Sequence, residues 1–290
     1  MALSSDEIRK RVRELIRQAH GADVAANKAA RAALEGAHKE ILSQIARLPA
    51  DASSYSRFQL QELKRAVERA SEDFDRLLTG ELKSAQESAF DRGKETVDRT
   101  LTDAIGAPPS IAGLSRTQLL VSQSYSADLV KGLSGAMRDR LNATLSRAFL
   151  GGKSVTEIMT EIGRSIGQGN FGIVSRRAET IYRTEVLRIQ SIATQARLEQ
   201  AVARGVDAKK MWVDAGTTAK PRPWHLAINR QVQPVNDPFE IPAGGPGGAS
   251  EKLMFPRDPA ASAENTVNCG CQEFPWLDSF EGISGLTTPA

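Results

Sequence analysis

The sequence predicts a mainly α fold with a small α+β module at its C-terminal end, the N-terminal half being a long helical hairpin of coiled-coil-like character. Three observations carry this expectation. Ala, Leu, Arg, Glu and Ser crowd the first two thirds of the 290 residues, and aromatic side chains make up only 5% of the whole, which is the composition of long helices with shallow seams. Apolar residues recur at spacings of three and four through that region. After Gly205 the texture changes to short alternating stretches between Pro/Gly-rich loops.

Ser4 and Glu7 have capping-box spacing ahead of Ile8, Val12, Leu15 and Ile16, so a helix begins there. It continues through Leu34, Ile41 and Leu48, seven apart, with Ile45 between the last two, until Pro49 disfavours helix at the preceding residue. A second helix starts near Ser56. Its Leu60, Leu63, Val67, Ala70, Phe74 and Leu77 alternate spacings of three and four, a heptad seam, and Ala85, Phe90, Val97, Leu101 and Ile105 extend it more loosely to a break at 106–109. These two helices are expected to fold back on each other, although a second subunit satisfies the same seam. A third helical region runs over 114–150 to Gly151 and Gly152. Ser154 and Glu157 then cap a short helix through Ile158, Met159 and Ile162 that ends near 167–172. A further helix spans about 174–204, on which Arg176, Arg183, Arg197 and Arg204 fall within about 80° of one another and form a basic stripe. Strands are expected at 209–215, 231–235 and 268–274. The resulting division is 1–112 hairpin, 113–171 helical linker, 172–277 C-terminal module and 278–290 flexible tail.

The net charge of +3 is unevenly distributed: Lys+Arg against Asp+Glu is 18 to 18 over 1–109, 13 to 7 over 110–205, and 7 to 10 over 206–290. The middle excess suits nucleic acid or an acidic protein surface, or simply a solvated helix face. No apolar run of membrane-spanning length and no secretory leader is present, so no membrane partner and assembly in the cytoplasm are expected. Cys269 and Cys271 are too close together to staple a fold and accord with a reducing compartment.

Residues 172–274 resemble the module of Mu F-like phage head-morphogenesis proteins. The resemblance rests on motifs in the family's order. They are Tyr182-Arg183-Thr184-Glu185; Trp212 with Asp214-Ala215-Gly216-Thr217; Arg222-Pro223-Trp224-His225 running into Leu226-Ala227-Ile228-Asn229; Pro234 and Asp237-Pro238-Phe239; and Asn268-Cys269-Gly270-Cys271. The chain departs from the pattern at 217–221, where the family shows an Asp, at Arg230 in place of Gly, and at Gly270 in place of Arg. The resemblance implies a minor head protein inside the virion. Such a protein associates with the portal protein, contacts the major capsid or scaffolding protein and packaged DNA, and acts in head morphogenesis, packaging or delivery, with no enzymatic role.

His225, Cys269 and Cys271 form the constellation with metal-ligand chemistry, because imidazole nitrogen and thiolate sulfur are the usual donors to zinc. Three ligands leave a fourth position for Asp214, Asp237 or water. Without metal the same residues would be a packing cluster. An enzymatic alternative makes His225 the base for Cys269 or Cys271, but no orienting group or oxyanion loop accompanies them. Arg183-Thr184-Glu185 invites comparison with ADP-ribosyltransferases. Contiguous on a helix, however, Arg183 and Glu185 diverge, so a tie from the helix to the C-terminal module is the expected role. A phage-delivered toxin would also need a catalytic domain, and only 277–290 follow Trp276. Trp212 and Trp224 are expected in the core, and the 243–249 loop lacks the Lys-Ser/Thr of a phosphate loop.

Overall fold

A computed structural model describes residues 4–47, 57–105, 111, 113–151, 153–164, 170–216, 221–243 and 250–281. The expected breaks at Pro49 and 106–109, most of the 243–249 loop and most of the C-terminal tail lie outside these residues. Five helices come first: α1 (Ser5–Ile45), α2 (Arg57–Ile105), α3 (Thr117–Leu150), α4 (Val155–Arg164) and α5 (Asn170–Ala203). The C-terminal part follows with β1 (Lys209–Val213), α6 (Pro223–Ala227), β2 (Val232–Pro234), β3 (Phe239–Ile241), β4 (Glu251–Leu253), α7 (Ala263–Thr266) and β5 (Gln272–Trp276). Both capping boxes form. Ser4 Oγ and Ser154 Oγ each accept from the backbone N–H three residues on, and each serine N–H donates back to Glu7 or Glu157.

The chain divides into two compact units. One contains 25–83 and 124–182, the middle stretches of the helical region. Each helix there buries one stripe at helical spacing: Leu34, Ile41 and Ile45 on α1, Leu63, Val67, Ala70, Phe74 and Leu78 on α2, and Val130, Leu133, Met137, Leu141 and Leu145 on α3. The seam expected on α2 is therefore buried within the chain, with one correction. Leu77 is 49% exposed and Leu78 takes its place, because a strict three-four alternation drifts against 3.6 residues per turn and the inward position shifts by one.

The second unit contains 1–24, 84–123 and 183–290. Here the start of α1 lies antiparallel to the end of α2, where Arg11 pairs with Asp103, as in a hairpin. Gly93 on α2 permits a close crossing with α5: a Cβ there would meet the Gln190 carbonyl oxygen and come within 2.9 Å of Ala193 Cβ. The sheet order is β2-β1-β5, antiparallel, with Met211 opposite Phe274 and Trp212 opposite Glu273. Because successive residues of a strand face opposite ways, β1 serves two cores. Met211 and Val213, with Phe274 and Trp276, pack on Ile8, Val12, Leu15, Val97, Leu101 and Leu198 of the helices. Trp212 faces Ile228, Phe239, Ile241, Leu253, Cys269 and Cys271 on the other side.

Strands at the first two expected positions are present as β1 and β2. The third is displaced: β5 begins at Gln272, so Cys269 and Cys271 lie in the segment leading into it. β3 and β4 pair in a separate antiparallel hairpin that the periodicity did not announce, each being three residues long and too short to show alternation.

Candidate metal centre

His225 is carried by α6, whose first residue is Pro223, a proline at the position where its missing N–H costs nothing. The Arg222 guanidinium donates to the Val267 carbonyl at 2.6 Å and fixes that short helix against the chain ahead of Cys269. Asp214 and Gly216 close the end of β1: the Asp214 N–H donates to Asn229 Oδ1, and Gly216, at φ +63°, donates to Asp214 Oδ1. These contacts give the Asp214, Gly216 and Asn229 motif positions a structural role.

The 44-residue separation between His225 and Cys269 closes in the fold. One ligand atom from each of His225, Cys269 and Cys271 lies within 4.8 Å of the others, and all three residues are buried. Neither Asp214 nor Asp237 has an oxygen in that group. His225 Nδ1 is 3.5 Å from Cys269 Sγ and 3.7 Å from Cys271 Sγ. A tetrahedral zinc with bonds of about 2.0 Å to nitrogen and about 2.3 Å to sulfur sets those atoms about 3.6 Å apart, so the donor set fits the ion.

The surroundings fix which imidazole nitrogen is available. His225 Nε2 is 3.1 Å from Asn265 Oδ1, an acceptor, while Asn265 Nδ2 donates to Glu251 at 2.5 Å. The Asn265 amide is thus oriented by a carboxylate, Nε2 carries the proton, and the Nδ1 lone pair points at the sulfurs. This is the outer-shell arrangement that prepares a histidine for a metal. Trp224 Nε1 donates to the same Oδ1 at 2.8 Å, and Trp212 meets the imidazole edge-on at 5.4 Å. Trp212 is fully buried core as expected, whereas Trp224 is half-buried and serves the asparagine. Burial raises the Glu251 carboxyl, but hydrogen bonds from Asn265 and Ser262 outweigh it and leave it below its ordinary range. The Cys269 thiol is driven well below the usual thiol range by the hydrogen bond from Cys271, helped by His225 and the Arg257 charge against burial. Cys271 is correspondingly raised.

Several residues of this site gave no sequence signal. Fully buried Arg257 donates through one guanidinium nitrogen to the carbonyls of Cys269 and Cys271, and through the other to Ser191 Oγ on α5. The tie expected from Arg183-Thr184-Glu185 is also present, through two of its members. The Asn268 N–H donates to Thr184 Oγ1, and Glu185 holds Arg188, whose Nε donates to the Arg257 carbonyl. The basic stripe is split among environments. Arg176 and Arg204 are exposed and Arg183 half-buried, while buried Arg197 donates to Asp98 at 2.6 Å.

On the Trp212 side of the sheet, Glu273 and Lys210 are both buried. Lys210 donates to Gln195 Oε1 and the Met254 carbonyl, whereas neither Glu273 oxygen has a hydrogen-bond partner among the described residues. Burial raises the Glu273 carboxyl to about 8, against the attraction of Lys210. Between pH 4.5 and 8 the folded protein keeps this proton and the unfolded chain does not, so the residue makes stability fall as pH rises through that window. Glu273→Gln is expected to match wild type in urea melts at pH 5 and to be the more stable protein above pH 8, by up to about 5 kcal/mol. Parallel stability curves across that range would refute the assignment.

A long helical scaffold carrying a small two-sheet module with a His/Cys/Cys centre is the class of protein these observations define. Residues 139–273 match the model of the family described as Phage Mu protein F like protein, so this segment of the chain is similar to that family. The uncharacterized protein YqbB of Bacillus subtilis (strain 168) is 28% identical over 210 residues, which cover 72% of this chain and 64% of that protein's length. No solved structure matches the chain. The family match suggests a phage head protein. No described helix is long and apolar enough to cross a membrane.

Proposed function

We propose that the protein is a minor head protein of a tailed phage, internal to the capsid and bound to the portal protein, acting in head morphogenesis and in DNA packaging or delivery. The family match over 139–273 carries this reading, with motif positions that tie α5 to the metal-site loop. In this proposal the segments 1–112 and 113–171 reach the portal and the major capsid or scaffolding protein, 172–277 is the conserved module, and 278–290 is a flexible tail. Packaged DNA would be met by the exposed Arg176 and Arg204 with Arg183; Arg197 is engaged by Asp98. Co-expression with the cognate portal protein and capture through a tag on either partner is expected to recover both chains. Loss of association with assembled and with monomeric portal alike would overturn the portal assignment.

The site itself supports zinc as a structural ion, held by His225 Nδ1 and the thiolates of Cys269 and Cys271, with water or another oxygen donor at the fourth position. Such an ion would close the Pro/Gly-rich excursion between His225 and Cys269. Elemental analysis of reduced protein is expected to give one zinc per chain, and Cys269→Ser or Cys271→Ser none. A metal-free wild type would leave a packing cluster.

A further inference from the structure

We infer that Arg257 is the positioning residue of this centre: its buried guanidinium pins the carbonyls of Cys269 and Cys271 so that both sulfurs address one point, and it anchors that point to helix α5. The inference rests on the metal reading above. Strand alternation would aim two cysteines to one face, but Cys269 and Cys271 lie ahead of β5, and Asn268 interrupts extended backbone at φ 56°. Something else must hold the two residues in register. One nitrogen of Arg257 lies 2.9 Å from the Cys269 carbonyl oxygen and 2.5 Å from that of Cys271, bridging the two peptide groups. The other donates to Ser191 Oγ at 2.7 Å. The main chain is shaped to deliver this side chain. Arg257 has φ 67°, a left-handed conformation that costs a non-glycine residue energy, and its own carbonyl is held by Arg188.

Charge points the same way. A guanidinium stays protonated in a protein interior, and a buried charge without an opposite partner is costly. No carboxylate among the described residues forms a salt bridge with Arg257, and its guanidinium is met instead by the carbonyl oxygens of Cys269 and Cys271 and by Ser191 Oγ. The guanidinium is thereby committed to the two cysteine carbonyls and fixes their position relative to α5.

The test is a cobalt(II) titration of the full chain, reading the thiolate-to-cobalt charge-transfer band and the affinity, followed by competition with zinc. Arg257→Met is expected to bind on the order of 10-fold to 100-fold more weakly, as for other outer-shell losses, with a diminished charge-transfer band. Arg257→Lys, which keeps the charge but cannot bridge both carbonyls, is expected to recover only part of the affinity. Ser191→Ala leaves both carbonyl contacts in place and is expected to lose about threefold through a looser guanidinium. If Arg257→Met does not fold, the lysine and Ser191→Ala variants decide. Wild-type affinity and spectrum in both would overturn the role of Arg257 while leaving the metal centre intact, whereas a wild-type chain that takes up neither cobalt nor zinc would overturn the metal reading and this inference together.

Discussion

Stripping metal from the reduced protein is expected to lower its melting temperature by about 10 °C. An ion present at about a thousand times its dissociation constant adds about 4 kcal/mol to the folded state, and each kcal/mol moves the midpoint of a chain this size by about 2–4 °C. The three candidate ligands come from α6 and from the segment before β5, so an ion there would bridge elements that the β2-β1-β5 sheet does not itself join. Cys269→Ser should melt at the temperature of the chelated wild type and should no longer respond to chelator. Equal melting of the wild type with and without chelator would show that the cluster holds by packing alone. In that case the Asn265 and Glu251 contacts would be orienting His225 for a hydrogen bond to sulfur.

An effect at least as large is expected in the helical unit. Leu63 and Val67 are 3% and 0% exposed, and replacing both with Asp places two carboxylates in a core that offers them no partner. Each such substitution costs several kcal/mol through lost packing and an unpaired buried charge, so the double variant should lose cooperative unfolding and much of its helical circular dichroism. The neighbouring pair Leu77 and Leu78 sharpens the test. Leu78→Asp should be severe, Leu78 being 1% exposed, whereas Leu77→Asp should stay within about 0.5 kcal/mol of wild type, as surface changes do. Equal tolerance of both would mean that α2 does not present this face inward.

Local rules recovered the helices and their starts because those features are written in short spacings. Ser4 with Glu7 and Ser154 with Glu157 cap helices through contacts only three residues apart, and the buried stripe of α2 follows from 3.6 residues per turn. The order of motifs from Tyr182 to Cys271 was likewise enough to mark the family, and residue chemistry alone singled out His225, Cys269 and Cys271. Packing settled the rest. It chose Leu78 over Leu77, and it paired Phe239 with Leu253 in a hairpin too short to alternate. It also drew Arg197 to Asp98, contacts separated by 99 residues that no helical wheel contains. Above all it replaced the supposed strand through Cys269 with a turn held by Arg257, Ser191 and Asn268. A side chain's partners across space are fixed by burial and by the need to satisfy buried charge, and neither quantity exists until the helices and sheet have met.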